Sequence, residues 1–159
     1  MVALRDSLLL SLAVLVVFGF SVTATFHFDD YAIFSDPAIT SSSGWLDVWR
    51  LSQTRPLTWF TFWLNHRVAG REPISYHAVN LLLHLAAVLV LWDLLPRIIP
   101  RQPALIGSVV FAPPPLVSEP VLYVFARGTL LATLLCLLSL RSWVAGARWI
   151  AVLWFGLAL

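Results

Sequence analysis

Apolar runs of near-membrane length alternate with short polar breaks along this chain. The first covers residues 7–26, about 20 residues, which is the length that crosses a hydrocarbon core. A cleaved leader has a shorter apolar run and a small-x-small site. Thr23-Ala24-Thr25 is a poor site of that kind, so the run reads as a retained first helix. Further runs cover residues 76–95, 103–112, 121–140 and 147–159. The third is short for a full crossing and ends at Pro113-Pro114-Pro115, as a tilted or broken helix would. The last stops at Leu159 without a polar tail, which reads as a truncated chain. The pattern predicts an all-α, multi-pass helical bundle, with residues 1–159 forming one membrane domain. Its spans are 7–26, 76–95, a short 103–112, 121–140 and a partial 147–159, with an outer loop at 27–75.

That outer loop is rich in aromatic residues. Trp45, Leu46 and Trp49 mark one short amphipathic helix over residues 44–51. Trp59, Phe60, Phe62 and Trp63 mark a second over residues 58–69, after the break at Arg55-Pro56. Trp-rich amphipathic helices lie in the plane of the lipid headgroups.

Composition supports lipid as the solvent. The chain is 60% hydrophobic and 11% charged, with a mean hydropathy of +0.87. A soluble domain carries about 25% charged residues and has too little interior to hide the rest. The net charge of +2 does not indicate nucleic acid, because the ten basic residues are all Arg and are scattered singly. Arg5, Arg97, Arg101, Arg141 and Arg148 fall on connections of one side, which the positive-inside rule makes cytoplasmic. The N-terminus is then cytoplasmic, and residues 27–75 and Glu119 face the opposite side. Cys136 is alone and says nothing about redox compartment.

Four constellations carry candidate chemistry. Asp29 and Asp30 follow the first span. Paired acids beside lipid suit a general base, a metal or a cation, or else mark a helix boundary. Arg55 precedes Pro56 and presents a planar fork suited to phosphate, or simply touches headgroups. His77, Asn80 and His84 share one helical face, with His84 about 10 Å deeper than His77. A polar face in a membrane helix points to a cavity or to interhelical hydrogen bonds. The two histidines are too far apart for a zinc site. Glu119, between prolines, faces water or a partner, or pairs with Arg127. Asp93 reads as an interfacial residue without a role.

In order, Phe28-Asp29-Asp30-Tyr31, Arg55-Pro56-Leu57 with Thr61-Phe62 and Leu64-Asn65, Gly70, Pro73, Tyr76-His77 and Asn80-Leu81-Leu82-Leu83-His84 form a recognisable series. Phe111-Ala112, Pro115, Glu119, Val121 and Arg127 with Leu130-Leu131 complete it. The series resembles the N-terminal membrane region of the tetratricopeptide-repeat-containing O-mannosyltransferase-like family, within the GT-C-type glycosyltransferases. The resemblance implies a GT-C-like N-terminal part and transfer of a sugar, such as mannose, from a polyprenyl phosphate carrier to a protein hydroxyl or a glycan. It implies Asp29 or Asp30 as the base. It further implies Arg55 and Arg127 at the carrier phosphate, with His77, Asn80, His84 and Glu119 completing the substrate-binding set.

No cofactor and no metal ligand set is implied beyond the lipid-linked donor, although a divalent metal is compatible. Partners are membrane lipid, the donor, the acceptor and a partner subunit. The Arg-only basic composition favours a bacterial inner membrane over the endoplasmic reticulum membrane. The sequence departs from the family pattern at Pro114, where the family carries His, and it lacks the family's many further helices. The competing reading is a non-catalytic membrane module that binds lipid-linked sugar or a partner subunit. A small transporter ranks below both, since no inverted repeat is visible.

Overall fold

The computed structural model describes residues 4–50, 54–113 and 118–159, and among them every regular element is helical. Three helical stretches are long and apolar enough to cross a membrane: Leu4–Thr23, Pro73–Arg97 and Val124–Val144. The first is α1 (Leu4–Phe18) extended by a 3-10 segment, Gly19–Thr23. Four helices lie between the first two of these stretches: α2 (Asp30–Ile33), α3 (Pro37–Thr40), α4 (Gly44–Asp47) and α5 (Pro56–Ala69). The chain re-enters through α6 (Pro73–Leu94), then α7 (Arg101–Phe111), α8 (Ser118–Leu122), α9 (Arg127–Val144) and α10 (Arg148–Ala158).

α6 is the central element, packed against α1, α7, α8 and α9, while α10 lies along α9. The bundle holds two apolar clusters. The larger joins Leu10, Val14 and Phe18 of α1 to Leu81, Val88 and Trp92 of α6 and Leu130 of α9. The smaller is largely aromatic and caps the outer end, with Phe26, Phe34, Phe62 and Tyr76 around Ile33, Ile39 and Val124. The outward faces remain apolar. Leu8, Leu12 and Val16 of α1 are exposed, as are Trp149, Val152 and Leu153 of α10. A soluble monomer rarely shows apolar faces of this extent, whereas lipid-facing helices must.

Three features differ from the sequence pattern. First, α5 begins at Pro56, but its buried stripe is Thr58, Phe62 and Asn65, while Leu64 and Val68 point outward. The helix therefore turns polar groups inward. Second, α7 starts two residues earlier than the run 103–112 but is short as that run implies: its 11 residues span about 16 Å. That is half of a hydrocarbon core, and the run Pro113-Pro114-Pro115 follows it; Pro114 and Pro115 lie outside the described residues. Third, residues 121–140 are not one helix. α8 stops at Leu122, Tyr123 is extended (φ −101°, ψ 110°), Val124–Ala126 makes a 3-10 turn, and only then does α9 start.

Three of the four ion pairs among the described residues gather at one end of the bundle, and the fourth, Arg50–Asp47, lies beside α4. Arg101 meets Asp6 at 2.5 Å, joining the starts of α7 and α1. Asp93 accepts from Arg97 at 2.9 Å and from Arg141 at 2.5 Å, tying the ends of α6 and α9. Asp93 thus has a structural role that its position in the sequence does not reveal.

Candidate functional site

The adjacent aspartates occupy opposite environments. Phe28 has φ +45°, a left-handed conformation that costs an aromatic residue strain, and its ring is 88% exposed. After this kink Asp30 is fully buried. Its Oδ2 accepts the His27 N–H at 2.9 Å and its Oδ1 accepts the Phe125 N–H at 2.8 Å. The second bond satisfies a backbone donor freed where α8 and α9 are interrupted. Asp29 is exposed. Its Oδ2 accepts from the Tyr123 hydroxyl at 3.0 Å, and the same hydroxyl oxygen accepts the Asp29 N–H at 3.2 Å. Among the described residues Oδ1 of Asp29 has no hydrogen-bond partner.

Desolvation of the phenol and its hydrogen bond to Asp29 push the Tyr123 pKa up. A raised folded-state pKa favours the protonated phenol. The tether is therefore intact below the ordinary phenol range and is lost as pH rises through the raised value.

Beneath this rim lies a buried polar layer centred on Arg127, which is 0% exposed. Its Nε donates to Asn80 Oδ1 at 2.8 Å, and its Nη2 donates to Asn65 Oδ1 at 3.0 Å and to the Tyr76 carbonyl at 3.1 Å. Nη1 reaches Thr61 Oγ1 at 3.4 Å, and the guanidinium lies 4.4 Å from the Phe62 ring centroid. Among the described residues it has no carboxylate partner, so neutral oxygens and aromatic faces carry the cation. Glu119 is exposed and does not pair with it.

The polar face of α6 serves the broken neighbours. Asn80 Nδ2 donates to the carbonyls of Pro120 at 3.1 Å and Tyr123 at 3.3 Å. His84 Nε2 lies 2.8 Å from the Ala112 carbonyl, just past α7. Both side chains satisfy carbonyls that an interrupted helix leaves open inside the bundle. His77 is fully buried beside Phe26, and neither of its ring nitrogens makes a hydrogen bond.

Arg55 is separate from this layer. It adopts φ +60° immediately before Pro56, which starts α5, and its side chain is exposed with no partner among the described residues. It lies across Gly128 in the first turn of α9, where an added Cβ would sit 3.1 Å from Arg55 Nη1. Three cavities, of about 140, 450 and 470 Å³, share Arg55 and Gly128 in their walls. One continues down α9 past Ala132 and Cys136, which follow Gly128 at helical spacing. Another reaches Phe125, the residue whose N–H Asp30 binds.

The structure thus brings Asp29, Asp30, Asn80 and Arg127 onto the single link from Pro120 to Arg127. It places Arg55 beside that link on α5, His77 and His84 inside the bundle, and Glu119 at its surface. Tyr123, Thr61, Asn65 and Tyr76 complete the arrangement. The stripe of Thr58, Thr61 and Asn65 was the available signal for part of it; nothing local marks Tyr123. Among the described residues no three metal-binding side chains converge.

No family model and no solved structure matches the chain. Curated relatives do. A protein O-mannosyl-transferase of Caenorhabditis elegans is 37% identical over 90 residues, which is 54% of this chain and 13% of the relative. The Homo sapiens protein O-mannosyl-transferases TMTC1 and TMTC2 are 36% and 37% identical over 56% and 57% of this chain. Those matches span 10% and 11% of the relatives' own lengths. Over about half of its residues, this helical membrane protein is therefore related to the protein O-mannosyl-transferase family.

Proposed function

We propose that this chain forms the acceptor-activating part of a membrane glycosyltransferase that moves a sugar from a polyprenyl phosphate to a protein hydroxyl. The relatives' names supply mannose and the protein acceptor. The observation that carries the reading is the unequal pair: Asp30 is buried with both oxygens engaged, while Asp29 offers a free oxygen at the surface.

Asp29 is then the base. Its Oδ1 takes the proton of the acceptor hydroxyl as that oxygen bonds to the anomeric carbon. The bond from that carbon to the phosphate oxygen breaks, and its electron pair leaves with the polyprenyl phosphate. Arg55 neutralises the charge that develops on the phosphate, which its fork geometry and open position suit. The apolar groove along Gly128, Ala132 and Cys136 accommodates the carrier's first isoprene units. Arg127, Asn80 and His84 hold the frame instead of touching substrate. The site faces away from the arginine-rich, cytoplasmic end.

The full chain, reconstituted in liposomes with polyprenyl-phosphate mannose and a Ser/Thr peptide, tests this. Asp29→Asn is expected to lower transfer by about 100-fold or more, the usual effect of losing a positioned base. Arg55→Ala is expected to raise the donor KM by about tenfold, the loss of one charge-assisted contact. Unchanged transfer by Asp29→Asn removes the base. Donor binding without turnover by the unaltered chain favours a binding module instead.

A further inference from the structure

We propose that Tyr123 is a positioning residue for Asp29 and fixes which carboxylate oxygen faces the acceptor. This rests on the reading of Asp29 as the base. The two hydrogen bonds between Tyr123 and Asp29 close a ring across 94 positions of the chain. Tyr123 is itself held on three sides. Its N–H donates to the Glu119 carbonyl at 2.8 Å, its carbonyl accepts from Asn80 at 3.3 Å, and its ring packs against Phe125. The extended backbone between α8 and α9 takes this side chain out of the helical path.

Without the phenol, Asp29 is an exposed carboxylate on a strained turn, free to rotate. With it, Oδ2 is occupied and Oδ1 alone is open. Fold stability does not require this bond, because Asp30 already staples the same two segments through His27 and Phe125. A second staple from an exposed acid adds little to the fold but sets the acid's direction. Asp30, on the same segment, also acts on the Tyr123 phenol and in turn faces His77 of α6. The residues that pack on Asp30 and Arg127 occupy both of those side chains and leave Tyr123 as the group in direct contact with Asp29.

Tyr123→Phe keeps the ring and removes only the hydroxyl. In the transfer assay above, it is expected to lower kcat by about tenfold, the effect of one hydrogen bond, and to leave the donor KM unchanged. Its melting temperature is expected to match that of the unaltered chain. A Tyr123→Phe variant with unaltered kcat, while Asp29→Asn is inactive, overturns the positioning role alone. So does a lower kcat that tracks a lower melting temperature, or one matched by an equal change in the donor KM. Full transfer by Asp29→Asn overturns the reading beneath it as well.

Discussion

Two neighbouring aspartates with the same side chain do different work, and the difference is one of burial and partners. Asp30 is an internal acceptor for two backbone donors. Asparagine there keeps one acceptor and turns an amide donor towards a buried N–H, so Asp30→Asn is expected to cost about 2 kcal/mol of stability. Asp29→Asn faces solvent and is expected to melt with the unaltered chain. Thermal unfolding of the two variants in one detergent checks the contrast, and equal losses would contradict it. The acid pair was visible in the sequence, but the choice within it was not. That choice depends on Tyr123 and Phe125, which lie more than 90 positions away and carry no local pattern. The same holds for Arg127: the family resemblance implies a place at the carrier phosphate, and the sequence gives no sign of its partners Asn65, Tyr76 and Asn80.

At the scale of elements, periodicity located the helices and missed their interruptions. α6 was legible because its apolar run is long and its polar positions share a face. The break at Tyr123 was not, because residues 121–140 read as one largely apolar run with Arg127 its sole charge, and the groups on Asp30 and Asn80 that make a gap tolerable lie far away in the chain. The inward turn of Thr58, Thr61 and Asn65 on α5 was hidden by the density of aromatic residues around them. Gly128 links this scale to the site. It is a helical glycine, so Gly128→Ala gains up to about 1 kcal/mol of helix propensity. The added methyl group meets the flexible end of Arg55 and Thr58 Oγ1 at 3.3 Å, and not a backbone. The expected outcome is unchanged or slightly raised thermal stability with weaker binding of polyprenyl-phosphate sugar, read by the donor KM. Donor affinity equal to that of the unaltered chain would detach Arg55 and its groove from the carrier.

For the whole molecule, the two ends of the bundle differ in character. One end carries Asp6, Asp93, Arg97, Arg101 and Arg141 in ion pairs. The other carries the aromatic cluster, the strained turn at Phe28 and the cavities around Arg55. The placement of arginines predicts that the ion-paired end is cytoplasmic, because of the cost of taking charge across lipid. The proposed reaction has Asp29 at the non-cytoplasmic end, opposite the ion-paired end. Sidedness is therefore the most direct test. In a chain with Cys136→Ala, single cysteines are placed by Phe28→Cys and Ile98→Cys, both at exposed positions, and intact cells are treated with a membrane-impermeant maleimide. The account predicts that position 28 is labelled from outside and position 98 only after permeabilisation. Labelling of both from one side, or of position 28 only after permeabilisation, would contradict it.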